Sequence, residues 1–291
     1  MPESSIQTVL VLGAGTMGNG IAQVCAMAGY HVTLHDPQPE AVKRALSTIR
    51  GNLDKGVERG KVTADARDTA LANLRDVAHV DEAASDADLV IEAVPERMEI
   101  KTSIFSQLDR SAPPHAILAT NTSSLSVSRI AAATARPDRV IGLHFFNPVH
   151  IMKLLEVVRG RETSAETVDA GLEFARRIGK EPIVVTDTPG FASSRLGVIL
   201  GLEAMRMVEQ GVASPQDIDK AMELGYNHPM GPLKLTDLVG LDVRLGIADY
   251  LHGELGGDQY RAPELLRSMV AEGKLGKKSG QGFYDWTQEG R

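Results

Sequence analysis

Between residues 8 and 36 the chain passes from an apolar run through three glycines into a helical pattern, then into a second apolar run ending on an acid. Thr8-Val9-Leu10-Val11-Leu12 has the length and composition of a buried strand. Gly13-Ala14-Gly15-Thr16-Met17-Gly18 follows at once, after which Ile21, Ala22, Val24, Cys25 and Ala28 recur near helical spacing. His31-Val32-Thr33-Leu34-His35 is the second strand, and Asp36 closes it. A strand that turns sharply into a helix aims backbone N–H groups and the positive end of the helix dipole at one point, where a pyrophosphate can sit. In such a turn Gly13 allows the tight bend, Gly15 lets the phosphates approach, and Gly18 lets the helix pack on the strand, with Ala14, Thr16 and Met17 completing the cofactor-facing stretch. Asp36 stands where a carboxylate accepts hydrogen bonds from an adenosine ribose. It would also repel a 2′-phosphate, which favours NAD over NADP. A βαβ turn with no ligand explains Gly13 but not an acid at the end of the second strand.

The same alternation continues downstream. Apolar runs at 87–94, 116–120, 139–144, 154–158 and 182–186 read as strands. Helical patterns at 39–55, 65–76, 99–108 and 163–178 separate most of them, and Thr163 with Glu166 has the form of a capping box. Alternating strands and helices predict an α/β, doubly wound Rossmann-type domain over residues 1–187. Beyond Asp187-Thr188-Pro189-Gly190 no strand is predicted, so residues 188–291 read as an all-helical C-terminal domain. Its helices fall at 191–210, then from Ser214 as N-cap and Pro215 as first helical residue to Gly225, then at 233–251 and 263–272. Residues 196–202 are apolar on every side and should be buried all round.

A chain of 291 residues is long enough for two such domains. Its net charge of −7 argues against a nucleic-acid surface. The one cysteine, Cys25, permits neither an internal disulfide nor a cysteine metal site, and no metal is expected. Met1-Pro2-Glu3-Ser4-Ser5 lacks the basic and apolar regions of a leader. No stretch approaches the roughly twenty apolar residues of a membrane span. A cytoplasmic protein is expected.

Ligands of doubly wound sheets bind beyond the carboxyl ends of the strands. Glu96, Asn121-Thr122-Ser123-Ser124, His144 and Asn147 all fall there. Removing a hydride from an alcohol needs a base for the hydroxyl proton, and His144 is the best placed of eight histidines, although a strand-end histidine is more often a satisfied structural residue than a base. Glu156 interrupts an apolar strand and needs a partner. If residues 144 and 156 sit on adjacent antiparallel strands, the two can meet, and Glu156 would orient the imidazole. The charges at Lys55, Glu58, Arg59 and Lys61 fit either a solvated helix end or a contact to a ligand phosphate.

Ordered motifs along nearly the whole length resemble the 3-hydroxyacyl-CoA dehydrogenases, of the stand-alone 3-hydroxybutyryl-CoA type. They are the glycine turn, Glu92-Ala93-Val94-Pro95-Glu96, Asn121-Thr122-Ser123-Ser124-Leu125, His144-Phe145-Phe146-Asn147-Pro148, Met152-Lys153-Leu154-Leu155-Glu156-Val157, Asp187-Thr188-Pro189-Gly190-Phe191 and Gly276-Lys277-Lys278-Ser279-Gly280-Gln281-Gly282-Phe283-Tyr284. The resemblance implies an NAD-dependent oxidoreductase acting on short (3S)-3-hydroxyacyl-CoA esters, with His144 as base and Glu156 as its partner. It implies that Ser123 bonds the substrate's 3-oxygen, that Glu96, Lys101, Asn147 and Lys278 line the NAD site with Ser123, and that Asn52 and Arg59 touch CoA. It also implies a homodimer through the helical domain. At the domain junction the family often reads Pro-Gly-Phe-x-x-Asn-Arg-Leu, where this chain has Ser194 in place of the asparagine that helps order the catalytic pair and substrate. Serine is shorter and lacks the second donor. Two alternatives remain beside this reading. One is a dehydrogenase of a free hydroxy acid, of the sugar-acid or carnitine type, whose members tend to replace Phe145-Phe146. The other is a relative that binds NAD without catalysis.

Overall fold

The protein is described by a computed structural model over residues 6–287, so residues 1–5, read above for a leader, lie outside the described residues. The chain divides into two compact units on either side of the Asp187–Thr188 bond.

In the first unit, β1 (Thr8–Leu12), α1 (Thr16–Met27) and β2 (His31–His35) form the opening βαβ. Next come α2 (Pro39–Glu58), α3 (Ala64–Ala72), β3 (Leu74–Asp76), α4 (Val80–Ala84), β4 (Leu89–Glu92), α5 (Met98–Ser111), β5 (Ile117–Thr120) and α6 (Val127–Ala131). The unit ends with β6 (Val140–Phe145), β7 (Leu154–Arg159), α7 (Ala165–Arg177) and β8 (Glu181–Thr186). The strands make one eight-stranded sheet in the order β3-β2-β1-β4-β5-β6-β7-β8. All neighbours are parallel except β6 and β7, which run antiparallel. The parallel register aligns Leu12 with Glu92, Glu92 with Thr120, and Thr120 with Gly142. The carboxyl ends of β1, β4, β5 and β6 therefore open on one edge, where a doubly wound sheet binds its ligands.

Helix faces follow the sequence period. Val42, Ala45, Ile49 and Leu53 of α2 are buried, and each such side chain contributes roughly 1–3 kcal/mol by leaving water. Cys25 is fully buried in α1, and burial pushes its thiol well above the ordinary range, which suits a core residue. Two local expectations fail. The pattern at 65–76 is a helix only to Ala72, after which three residues pair with β2 as β3. The cap of α7 is Ser164, whose hydroxyl accepts from Thr167 N. Thr163 Oγ1 instead donates to Val140 O and accepts from Gly160 N, joining the helix start to β6.

The second unit consists of α8 (Ser193–Glu209), α9 (Pro215–Gly225), α10 (Pro232–Val239), α11 (Leu241–Leu255) and α12 (Glu264–Ala271). Ser214 caps α9 through Asp217 N, with Pro215 in the first turn. The single helix expected over 233–251 is broken at Gly240, whose φ of +105° lies where a side chain is strained. Val198, Leu202, Met205, Leu233, Leu241 and Leu251 form the centre of its core. Residues 196–202 are not buried all round. Val198, Gly201 and Leu202 face the core, whereas Leu196 is 70% exposed.

Candidate active site

At the end of β1 the three glycines do three different things. Gly13 has φ +96°, and a Cβ there would fall 2.6 Å from Ala93 O. A Cβ on Gly18 would lie 1.7 Å from Gly13 O, so only glycine lets α1 approach the turn. A Cβ on Gly15 would meet nothing within 4 Å. That position faces open space, at the N-cap of a helix with no side-chain cap and no acid in its first turn. The first N–H groups of α1 are thus aimed outward and want an anion. Asp36 Oδ2 accepts from Ala14 N at 2.9 Å, and Oδ1 accepts from Gln38 N at 2.9 Å. The carboxylate is held at the lip of a cleft lined by Ala14, Gly15, Thr16, Asn19, Gln38 and Arg44. Open backbone donors beside an oriented carboxylate fit a dinucleotide: one set for the pyrophosphate, the other for a ribose.

A buried polar network occupies the ends of β4 and β5. Glu92 is fully buried, and its Oε1 accepts from Lys101 Nζ at 2.7 Å and from Val94 N at 2.8 Å. Its Oε2 accepts from Thr120 Oγ1 at 2.7 Å. Lys101, also fully buried, lies 3.3 Å from Glu96 Oε2. Glu96 Oε1 in turn accepts from Thr122 Oγ1 at 2.5 Å and Ser123 N at 2.9 Å. Lys101 therefore bears on its surroundings through Glu96, while Glu96 and Ser123 stand at the surface end of the chain of bonds. Two carboxylates sharing one ammonium, every member bonded, meet the condition under which buried charge is tolerated.

The antiparallel pairing of β6 with β7 sets His144 directly opposite Glu156. Opposed residues share a face of the sheet, and His144 Nδ1 lies 2.6 Å from Glu156 Oε2. Both groups are buried, His144 5% exposed and Glu156 not at all. The Phe146 ring stands 4.5 Å from the imidazole, centroid to centroid. The strands' connecting turn carries Asn147, which is exposed. Lys180 holds that turn: its Nζ donates to Val149 O and, at 2.7 Å, to Met152 O. Burial draws the Lys180 ammonium below its usual pKa. Asn121 Oδ1 accepts from Phe145 N at 2.9 Å, fixing the end of β6 against the Ser123 loop.

The structure thus brings together Gly13–Gly18 with Asp36, Glu96 with Lys101 and Ser123, and His144 with Glu156. Asn52 and Arg59 stand apart from these groups. Asn52 Nδ2 donates to Gln23 Oε1 at 3.2 Å, and Arg59 is the exposed C-cap of α2. In the second unit Ser194 lies half-buried in the first turn of α8, and Lys278 Nζ is 2.5 Å from Asp242 Oδ1. Glu92 and Lys180 were not singled out from sequence. Glu92 carried the same signal as Glu156, an acid in an apolar strand; Lys180 carried none.

A description of the 3-hydroxyacyl-CoA dehydrogenase NAD binding domain matches residues 8–188, and one of the C-terminal domain of the same family matches residues 190–286. The chain is 48% identical to the probable 3-hydroxybutyryl-CoA dehydrogenase of Bacillus subtilis, over 98% of its own length and 99% of that protein's. It is 44% identical to the 3-hydroxybutyryl-CoA dehydrogenase of Bradyrhizobium diazoefficiens, over 97% and 96%. The crystal structure of (S)-3-hydroxybutyryl-CoA dehydrogenase PaaH1 from Ralstonia eutropha matches with a TM-score of 0.94 at 42% identity, covering 98% of this chain and 100% of that one.

Proposed function

The chain belongs to the 3-hydroxyacyl-CoA dehydrogenase family, and from that premise we infer that it interconverts short (3S)-3-hydroxyacyl-CoA and 3-oxoacyl-CoA esters, 3-hydroxybutyryl-CoA among them, with NAD. The observation that carries the mechanism is the buried 2.6 Å contact of His144 with Glu156. With Nδ1 committed to the carboxylate, proton exchange with substrate falls to Nε2. In oxidation His144 takes the hydroxyl proton as the carbon–hydrogen bond breaks, and Glu156 offsets the charge of the imidazolium. In reduction the same proton returns to the 3-oxygen. NAD+, when bound, supplies the hydride acceptor. Asp36 and the open glycine turn hold the dinucleotide, Glu96 and Lys101 set the Ser123 loop, and the Ser123 hydroxyl bonds the 3-oxygen. Asn147 and Lys278 complete the cofactor side, and Asn52 and Arg59 receive CoA. Ser194 takes the asparagine's place with one hydroxyl.

Residues 188–291 form the substrate and dimer-forming part. The exposed Leu196 on an apolar helix supports a homodimer through this unit. Among the described residues no helix is long and apolar enough to cross a membrane, which is consistent with a cytoplasmic enzyme. The test is loss of NADH absorbance with acetoacetyl-CoA, with acetoacetate and NADPH as controls. Turnover of the CoA ester with NADH alone is expected. Turnover of the free acid instead would move the protein to the hydroxy-acid branch, and binding of NADH with no turnover of either would make it a non-catalytic relative.

A further inference from the structure

Lys180 stands between the end of α7 and the start of β8, and its backbone is pinned on both sides. Gly179, at φ +74°, donates to Arg176 O at 3.0 Å, and Lys180 N donates to Ala175 O at 2.9 Å, which closes the helix. Glu181 N donates to Lys153 O at 2.8 Å and opens the pairing of β8 with β7. From that junction the side chain, in a residue only 7% exposed, reaches the carbonyls of Val149 and Met152. Among the described residues it pairs with no carboxylate, and no other donor reaches either carbonyl. A buried ammonium is costly unless its protons are taken up, so the lysine and the two carbonyls depend on each other.

Residues 147–152 are held from two directions. On one side Lys180 binds their carbonyls. On the other stands α1: a Cβ on Gly20 would fall 2.8 Å from Val149 Cβ, and Val149 is 2% exposed. α1 is the helix whose open N-terminal end suits the pyrophosphate, and Asn147 lies two residues before Val149. The turn's own two bonds share one carbonyl, Pro148 O, which accepts from Ile151 N at 3.0 Å and Met152 N at 2.9 Å. The His144–Glu156 pair is held differently. The β6–β7 ladder runs one pair beyond it, to Phe145 opposite Leu155, so strand register fixes His144 and Glu156 without the lysine.

We propose that Lys180 is a positioning residue for the cofactor: its ammonium, bound to the carbonyls of Val149 and Met152, holds the β6–β7 turn against α1 so that Asn147 meets the dinucleotide. Hydrogen bonds from a charged donor are about twice as strong as neutral ones, and here they fix a turn that has few bonds of its own. Without them the two carbonyls are left bare and the turn is free to lift from α1. Asn147 then loses its place, whereas His144 and Glu156 keep theirs. This rests on the reading of Asn147 as a cofactor residue.

The test measures the dissociation constant of NADH by fluorescence titration, and kcat with acetoacetyl-CoA at saturating NADH, in wild type, Lys180→Met, Asn147→Ala and the double variant. Lys180→Met is expected to weaken NADH binding roughly two- to tenfold, the worth of one cofactor hydrogen bond, while kcat stays within about twofold of wild type. A lysine that only supported the fold would not divide affinity from turnover in this way. Because Lys180 acts through Asn147, the double variant should bind NADH no more weakly than Asn147→Ala alone. Unchanged NADH affinity in Lys180→Met overturns the proposal. So does full additivity in the double variant, or a kcat that falls as far as the affinity. Should Lys180→Met not fold, Lys180→Gln, a shorter neutral side chain that keeps two N–H donors, takes its place in the same cycle with the same outcomes. If Asn147→Ala binds NADH as wild type does, the reading of Asn147 fails and the proposal with it, an outcome distinct from additivity between two variants that each weaken binding.

Discussion

His144 is chemically useful because of what stands across the strand from it. An imidazole opposite a fully buried carboxylate at 2.6 Å has its Nδ1 proton fixed and its charged form supported. His144→Ala should therefore lower turnover by about two to four orders of magnitude, the usual worth of a general base, while NADH binding measured by fluorescence titration stays near wild type. Near-normal turnover would take His144 out of the mechanism. The glycines make a second residue-scale contrast. Gly15→Ala adds a methyl into open space, so the chain should fold normally and lose NADH affinity at least about tenfold, because the methyl occupies the phosphates' approach. Gly18→Ala sets a methyl 1.7 Å from Gly13 O, and relieving that clash must move the turn itself. It should lower the thermal midpoint as well as abolish NADH binding. Equal effects of the two substitutions would mean that the turn tolerates a side chain wherever it falls.

Elements are held at their ends, and the start of β1 is the clearest case. Asp88, just before β4, accepts through Oδ2 from Gln7 N at 2.8 Å and Thr8 N at 2.9 Å, and its Oδ1 lies 3.0 Å from His115 Nε2. Burial pushes its carboxyl up, but these donors together outweigh burial and hold it below the usual aspartate range. A carboxyl whose folded pKa is below its unfolded one binds fewer protons when folded. Its stabilisation is thus complete above about pH 4 and is lost as pH falls through the folded value. Asp88→Asn should cost about 2 kcal/mol in denaturant unfolding at neutral pH, and the gap to wild type should narrow below about pH 4. A gap independent of pH would mean that the charge is not what holds β1. Elements with a long period were legible from sequence, since β1, α1, α2 and β4 to β7 each bury a whole face or run, while β8 showed only as an apolar run and buries none of its residues. Leu74-Arg75-Asp76 was not, because a half-polar three-residue strand has no period and exists only by pairing with β2. The break at Gly240 was hidden because Leu233 and Leu241 both face the core, so the apolar pattern runs straight through a residue of positive φ that ends one helix and starts the next. At the site, Glu156 was legible as an acid in an apolar strand. The same rule applied to Glu92 would have found the network behind Ser123. Lys180 had no such mark, because its partners are backbone carbonyls far back in the chain, and carbonyls carry no sequence.

For the whole molecule, the open question is what covers α8. An apolar stretch on every side of a helix normally lies buried, yet within one chain only Val198, Gly201, Leu202, Ala204 and Met205 are. Leu196 is 70% exposed, and Leu200, one turn on along the same outward face, is only half-buried. A single exposed leucine needs no explanation, but an outward apolar row on a helix whose inward row already fills a core is surface awaiting a partner. A two-fold dimer uses one patch twice, so a charge placed there is buried in the contact twice. Leu196→Glu should leave the inward face untouched and the fold intact by circular dichroism. If the homodimer proposed above is built on this row, sedimentation should then report one chain of 31.2 kDa where wild type reports twice that mass. Two carboxylates buried unpaired in a desolvated contact lose their water, a cost of several kcal/mol that an ordinary interface does not absorb. A variant that still sediments at twice the chain mass would place the dimer contact on another face, and the exposed row of α8 would then be free for some other partner.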